Sequence, residues 1–151
     1  HYPLRRQRQM CIRDRAEHVE LDADFSSRTV RRIDQSIAMG ALFTAHQLGA
    51  KAIVALTASG STALWMSRHR IDIPIYALTP SLATQRRMAL IRNVRPLLMD
   101  ESDDRDVALA QAETHLKKRG IVDTGDVYAI TCGEPMGSPG GSNMLKICRA
   151  G

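Results

Sequence analysis

The spacing of apolar and polar residues changes along the chain in a way that predicts helices and strands in turn. From Arg31 to Leu48 the apolar residues recur at three- and four-residue spacing, which predicts a long helix that Gly49 ends. Its apolar positions are Ile33, Ile37, Ala38, Ala41, Leu42 and Ala45. Ala52–Leu56 follows as a continuous apolar run of strand length, bounded by Gly49 and by a turn rich in Thr, Ser and Gly. That pattern predicts a central, fully buried strand.

Predicted helices and strands continue to alternate up to the end of the chain. We predict a helix over 62–69, a strand over 73–78, a helix capped by Thr79 that ends near residue 92, a strand over 94–99, a helix over 105–118, and strands over 127–132 and 144–149. Repeated strand and helix units force parallel crossovers, whereas the last two strands, joined by a loop without a helix, form an antiparallel hairpin. The prediction is therefore an α/β domain with three layers, a mostly parallel five-stranded sheet, an antiparallel last strand and helices on both faces.

Composition agrees with one such domain over residues 31–151. The chain has 151 residues, of which 44% are hydrophobic and 25% charged, as expected for a single core. Aromatic residues are only 4%, so aliphatic side chains must fill the core, as is typical where helices pack on a parallel sheet. No apolar run approaches the roughly 18 residues that a membrane-spanning helix needs. We expect a cytoplasmic protein without a membrane partner.

The positive charge of the chain is concentrated in its first 15 residues. Five arginines and one aspartate there account for +4 of the net +5, so the remaining residues are almost neutral. We therefore expect no nucleic-acid partner. We interpret residues 1–15 as a non-native or disordered leader, because an Arg-rich targeting peptide would also carry Ser and an apolar face. Residues 16–30 are interpreted as a connector.

The turn after the central strand is the strongest candidate site. It consists of Thr57, Ala58, Ser59, Gly60, Ser61 and Thr62. Free backbone N–H groups at a helix start, four hydroxyls and a glycine that permits close approach all favour a phosphate monoester. The alternative is an ordinary helix cap, in which one hydroxyl satisfies the helix. The turn lacks the Lys of a Walker A loop and does not match G-x-S-x-G. It therefore carries neither the usual motif for phosphoryl transfer nor that for serine hydrolysis.

A second candidate is the loop rich in Gly and Pro over Gly133–Asn143. It also follows the carboxyl end of a strand, which is where open α/β sheets bind ligands, so it is placed to close over the turn. The alternative is a flexible hairpin tip without a ligand.

The remaining polar residues give no comparable signal. The histidines lack metal-ligand spacing, and the acidic run Asp100–Asp106 lacks the pattern of a calcium loop, which makes a solvated helix cap the simpler interpretation. The three cysteines include no Cys-x-x-Cys pair, so neither a disulfide framework nor a zinc site is indicated. Cys132 and Cys148 are predicted to be free thiols that face each other across the final hairpin.

Two stretches resemble a known family. The run IDQSIAMGALFTAHQLGAKAIVALTASGSTALWMSR resembles the helix, strand, phosphate turn and helix of the C-terminal domain of pyruvate kinase, and DVYAITCGEPMGSPGGSNMLKICRAG resembles its closing hairpin. The resemblance covers roughly residues 16–151. It implies the allosteric domain of a glycolytic enzyme that passes phosphate from phosphoenolpyruvate to ADP in a neighbouring barrel domain. That barrel, the lid domain and the family's substrate, magnesium and potassium ligands have no counterpart here, so we expect this chain alone to be inactive and to hold no cofactor.

The resemblance also assigns roles to residues. It implies that residues 57–62 grip an effector phosphate and that an effector loop comprises Gly137, Ser138, Pro139, Gly140, Gly141 and Ser142. Family members that respond to fructose 1,6-bisphosphate hold a second phosphate with basic or aromatic side chains near this loop, which here contains no Lys or Arg. We therefore expect a monophosphate such as AMP, ribose 5-phosphate or glucose 6-phosphate, as in bacterial enzymes of the monophosphate-activated type.

Three hypotheses remain open at this point. In the family these domains pair across a two-fold axis of a homotetramer, partly through the first helix and the last strand, which suits a regulatory domain. A free-standing module that binds sugar or nucleotide phosphates is the alternative, and the gene sequence upstream of Ala16 distinguishes the two. A complete small enzyme is disfavoured because a catalytic carboxylate, base and Lys constellation is missing.

Overall fold

The computed structural model of the chain describes residues 30–136 and 141–151. The leader, nearly all of the connector, and Gly137, Ser138, Pro139 and Gly140 of the predicted effector loop lie outside the described residues. The described elements are α1 (Ile33–Leu48), β1 (Ala52–Leu56), α2 (Ser61–Ser67), β2 (Ile75–Thr79), α3 (Leu82–Met88), β3 (Val94–Leu98), α4 (Arg105–Lys118), β4 (Val127–Gly133) and β5 (Ser142–Arg149).

The strands form one five-stranded sheet in the order β3-β2-β1-β4-β5. β1 pairs in parallel with β2 and β4, β2 pairs in parallel with β3, and β5 is antiparallel to β4. All five residues of β1 and of β2 are buried, which explains why residues 52–56 and 75–78 are continuous apolar runs rather than alternating ones. The predicted sheet, with its antiparallel last strand, is confirmed.

Alternate residues of the strands face two cores. On one face, Ile53 and Ala55 pack with buried side chains of α1, α2 and α3, and the alanines at 38, 41 and 45 let α1 approach the sheet. On the other face, Val54 and Leu56 pack with Ala108, Leu109, Ala112 and Leu116 of α4. Helices therefore cover both faces, and the three-layer prediction is confirmed.

Two boundaries next to the predicted site differ from the sequence prediction. β2 runs to Thr79, and α3 is capped by Ser81 rather than by Thr79, since the Ser81 hydroxyl accepts a hydrogen bond of 3.2 Å from the Thr84 N–H. α3 then ends at Met88 instead of near residue 92. The N–H groups of Leu90 and Ile91 bond three residues back, to Arg87 and Met88, so the chain tightens out of the α-helix.

The final hairpin corrects the prediction about its cysteines. In the antiparallel register Cys132 lies opposite Met144 and Cys148 lies opposite Tyr128, so the two thiols do not face each other. Both are free, as predicted. The strands also extend further than predicted, to Gly133 and from Ser142, and these two residues pair after a register shift at Cys132/Gly133.

Candidate functional site

A cavity of about 110 Å³ lies beyond the carboxyl ends of β1, β2 and β4. Its apolar floor comprises Leu56, Leu78 and Met99. Three walls rise from that floor: the turn after β1, the acidic segment after β3, and the two ends of the loop between β4 and β5. The two predicted sites are therefore parts of one cavity, at the edge where open α/β sheets bind ligands.

The first wall is the turn after β1. Of the six predicted residues, Thr57, Ala58, Ser59, Ser61 and Thr62 line the cavity. The turn holds its shape through its own hydroxyls, since the Gly60 N–H donates to Thr57 Oγ1 at 2.8 Å and Ser59 Oγ donates to Ser61 Oγ at 3.2 Å. The cavity surface here therefore consists of hydroxyls and backbone.

Gly60, the sixth residue, lies outside the cavity lining and has another role. Its φ of 85° is in the left-handed region that favours glycine, and a Cβ there would lie 3.1 Å from both Cγ and Sδ of Met88 on α3. This glycine therefore lets the turn reverse and lets α3 pack beneath it.

The start of α2 differs from the starts of the other helices at this edge. Ser81 caps α3, and the Asp104 carboxylate caps α4 by accepting from the N–H groups of Asp106 and Val107 at 2.8 and 3.2 Å. The N-cap of α2 is Gly60, and no side chain caps that helix. The first N–H groups of a helix have no intrahelical acceptor, and Ser59 Oγ approaches one of them, the Ser61 N–H, only at 3.4 Å. A side-chain cap of this helix start is therefore weak.

A residue that the sequence prediction missed fixes the turn from below. The Thr84 hydroxyl, which is buried, donates to the Ala58 carbonyl oxygen at 2.8 Å and accepts from Arg87 at 3.1 Å. A threonine in the middle of a short helix gives no sequence signal of such a role, because its partner is 26 residues away.

The second wall is the ends of the β4–β5 loop. Gly133 and Met136 on one side, and Gly141 and Ser142 on the other, line the cavity. The Thr62 and Ser142 hydroxyl oxygens lie 2.6 Å apart, which joins this wall to the turn. The Asn143 side chain closes the base of the loop, since its amide accepts from the Glu134 N–H at 2.9 Å and donates to the Glu134 carbonyl at 2.8 Å.

The third wall is acidic and comprises Asp100, Glu101, Ser102 and Asp103. Among the described residues that line the cavity, none is Lys or Arg. The nearest arginine in sequence, Arg105, has its Nε 3.2 Å from Asp106 Oδ1 and 3.5 Å from Glu134 Oε1. The hydrogen bond to Asp106 raises the pKa of Arg105, so its charge is already matched by carboxylates.

The other polar residues form no metal site in the part of the chain that the structure describes. Those residues contain no group of three or more His, Cys, Asp or Glu side chains arranged to hold a metal ion. Burial raises the pKa of the Cys132 thiol, which is the behaviour of an unreactive core cysteine. Within residues 30–136 and 141–151, no helix has both the length and the apolar character required to cross a bilayer.

The fold and the cavity place the chain among α/β domains with a cleft beyond the carboxyl ends of their parallel strands. Comparison with known proteins identifies the group: the family model described as "Pyruvate kinase, alpha/beta domain" matches residues 35–148. The chain belongs to the pyruvate kinase family, through that family's C-terminal α/β domain. The resemblance found in the sequence is confirmed.

Individual relatives agree with this assignment. Pyruvate kinases of Staphylococcus epidermidis and Staphylococcus aureus are 35% and 34% identical to this chain over 131 residues. The matches cover 87% of this chain and 22% of each relative, so the chain spans about a fifth of the length of the curated relatives it matches.

Proposed function

We propose that this chain is the effector-binding domain of a pyruvate kinase and that its cavity holds the phosphate of a small effector. The observation that carries the proposal is the uncapped start of α2, which opens into a cavity lined by the hydroxyls of the same turn. Backbone N–H groups and hydroxyls converging on one point are the usual ligands of a phosphate monoester. The site holds a phosphate and transfers none.

The charge of the cavity favours a monophosphate over fructose 1,6-bisphosphate. The described lining contributes three carboxylates and no cation, so a second phosphate would meet repulsion without a partner. A hydroxyl-rich ribose or hexose suits the acidic wall better, because its hydroxyls donate hydrogen bonds to carboxylates. AMP, ribose 5-phosphate and glucose 6-phosphate are the proposed effectors, as in the monophosphate-activated bacterial type.

A thermal-shift screen with these three compounds tests the proposal. A ligand at 100 times its Kd stabilises the folded state by about 2.7 kcal/mol, which is readily detected. Ser59→Ala, in the turn, is expected to reduce the shift strongly. Ser81→Ala removes a comparable serine from the neighbouring helix start and is expected to keep the shift. Equal shifts in both variants would contradict the proposal.

The parent reaction and its requirements are proposals as well. We propose that the complete enzyme transfers phosphate from phosphoenolpyruvate to ADP in the cytoplasm, with a barrel domain as the partner of this one. Magnesium and potassium serve that reaction in the family. The described residues here offer no metal-binding group, so we derive no role for either ion in this domain. A coupled lactate dehydrogenase assay on this chain is expected to detect no pyruvate, and measurable turnover would overturn this assignment.

We also propose that the domain pairs with a second copy. β5 lies at one end of the sheet order, so one of its edges has no strand beside it among the described residues. An open strand edge is an aggregation hazard unless it is covered. Ile147 on β5 and Phe43 on α1 are 39% and 45% exposed, which places apolar surface near that edge. A homo-oligomer formed through α1 and β5 covers both features.

A further inference from the structure

A buried hydrogen bond joins the phosphate turn to the strand that follows the loop. The hydroxyls of Thr62 and Ser142 are 2.6 Å apart, although the residues are 80 positions apart in sequence. Thr62 is 2% exposed and Ser142 is 7% exposed, and both line the cavity. This contact therefore links the first turn of α2 to the first residue of β5 inside the site.

The position of Ser142 is fixed by the backbone around it. Ser142 pairs with Gly133 where the register shifts, and Asn143 is bonded to both backbone groups of Glu134. A Cβ on Gly133 would lie 2.4 Å from the Gly141 carbonyl oxygen, so the strands approach this closely only because residue 133 is glycine. The Ser142 hydroxyl is thus presented to Thr62 by a tightly packed strand end.

The direction of this bond determines what Thr62 offers to an anion. Each hydroxyl has one proton to donate and lone pairs to accept with. If the Thr62 proton points to an anion in the cavity, Ser142 must be the donor in the 2.6 Å bond. A chain from Ser142 to Thr62 to the anion then fixes the Thr62 hydroxyl and polarises it, since linked hydrogen bonds strengthen one another.

We propose that Ser142 is a positioning residue for the effector, holding the Thr62 hydroxyl in the orientation that donates to the bound phosphate. Because the same bond joins the turn to Ser142, phosphate binding in the turn depends on the position of the first residue of β5. This inference rests on the proposed phosphate site and adds a coupling between its two walls.

A double-mutant cycle on the 151-residue chain tests the proposal, with AMP and glucose 6-phosphate as calorimetric probes. Ser142→Ala is expected to weaken binding about three- to tenfold, the effect of losing one hydrogen bond. Thr62→Val, which keeps the side-chain shape, is expected to weaken it at least as much, and the double variant no further than Thr62→Val alone. Ser142→Thr restores the hydroxyl and is expected to bind within about twofold of the parent chain.

The control is Ser67→Ala, which removes a 2.6 Å hydroxyl bond to the Leu64 carbonyl at the far end of α2 and is expected to leave affinity unchanged. Urea unfolding of each variant without ligand separates structure from positioning. Loss of stability in Ser142→Ala with unchanged affinity would reduce the contact to a structural one and overturn the proposal. Additive losses of affinity would overturn it too. If the parent chain takes up neither probe, the proposed function itself fails.

Discussion

Gly133 controls how closely β4 and β5 approach at the cavity. The Cβ of an alanine there would lie 2.4 Å from the Gly141 carbonyl oxygen and 2.9 Å from its carbon, and both are backbone atoms that a rotamer change cannot move away. Gly40 on α1 is the opposite case, since a Cβ there would meet only the Leu145 side chain at 3.7 Å, an ordinary contact.

These two glycines predict opposite effects of the same substitution. Gly133→Ala is expected to lower the free energy of unfolding by about 1–3 kcal/mol, as overpacking does. Gly40→Ala is expected to raise it by about 0.5–1 kcal/mol, because alanine is the better helix residue. Urea unfolding of the two variants measures both effects, and an undiminished stability of Gly133→Ala would contradict the close approach of Gly133 to Gly141.

Glu113 on α4 predicts a dependence of stability on pH. Its carboxylate accepts from the Gly151 N–H at 3.0 Å and from the Tyr128 hydroxyl at 2.8 Å, and these bonds lower the pKa of Glu113 from 4.5. A carboxyl with a lowered pKa stabilises the folded state above the unfolded pKa, and this contribution is lost as the pH falls through the folded pKa.

Glu113→Gln is therefore expected to be less stable than the parent chain by about 1–2 kcal/mol at pH 7, since bonds to a charged acceptor are lost. The difference should begin to shrink below pH 4.5, where the unfolded carboxyl becomes protonated, and should vanish once the pH has fallen through the lower pKa of the folded carboxyl. Unfolding measured at pH 7 and pH 3 tests this, and a difference that does not change with pH would contradict the assignment.

At the scale of elements, strands were easier to predict than helix limits. The apolar run 52–56 matches β1 residue for residue, because a strand buried on both faces has to be apolar throughout. The cap of α3 was misplaced, because Thr79, Pro80 and Ser81 all suit a helix start. Only the bond from the Thr84 N–H identifies Ser81. The expectation that Cys132 faces Cys148 is wrong because Cys132 lies at the loop end of β4, opposite Met144, whereas Cys148 lies near the other end of the hairpin, opposite Tyr128.

The contrast between helix starts gives a third prediction. Asp104→Ala removes two capping bonds from α4 and is expected to cost about 0.5–2 kcal/mol of stability in the absence of ligand. Ser59→Ala removes two exposed contacts, the 3.2 Å bond to the Ser61 hydroxyl and the 3.4 Å contact to the Ser61 N–H, so its expected cost without ligand is below about 0.5 kcal/mol. Thermal unfolding without ligand compares the two. A loss in Ser59→Ala as large as that in Asp104→Ala would restore the cap interpretation of the turn.

At the scale of the molecule, the sheet order brings together segments that are far apart in sequence. Placing the turn and the Gly/Pro loop at one edge was possible from the sequence, because both follow strands of the same parallel sheet. The residue pattern by itself predicts a solvated cap for Asp100, Glu101 and Asp103, whereas the path of the chain after β3 brings them to the cavity. The Thr62–Ser142 hydrogen bond depends on side-chain positions, which the spacing of residue types along the sequence does not predict.

The proposed pairing through β5 predicts that the association state responds to surface charge. Ile147→Asp puts a carboxylate into the proposed interface and is expected to convert a dimer into a monomer, because an unpaired buried charge is costly. Leu90→Asp makes the same exchange at a residue that is 91% exposed and lies beyond α3, and it is expected to have no effect. Sedimentation equilibrium of the parent chain and both variants measures the mass, and a monomeric parent chain would contradict the pairing.

Isothermal titration calorimetry of the 151-residue chain tests the central claim most directly. AMP and adenosine form one matched pair, and glucose 6-phosphate and glucose form another, so each pair isolates the contribution of the phosphate. We predict that at least one monophosphate binds, that its dephosphorylated partner does not, and that fructose 1,6-bisphosphate binds more weakly than that monophosphate. Equal binding within each pair would contradict a phosphate site in this cavity, and tighter binding of the bisphosphate would contradict its proposed selectivity.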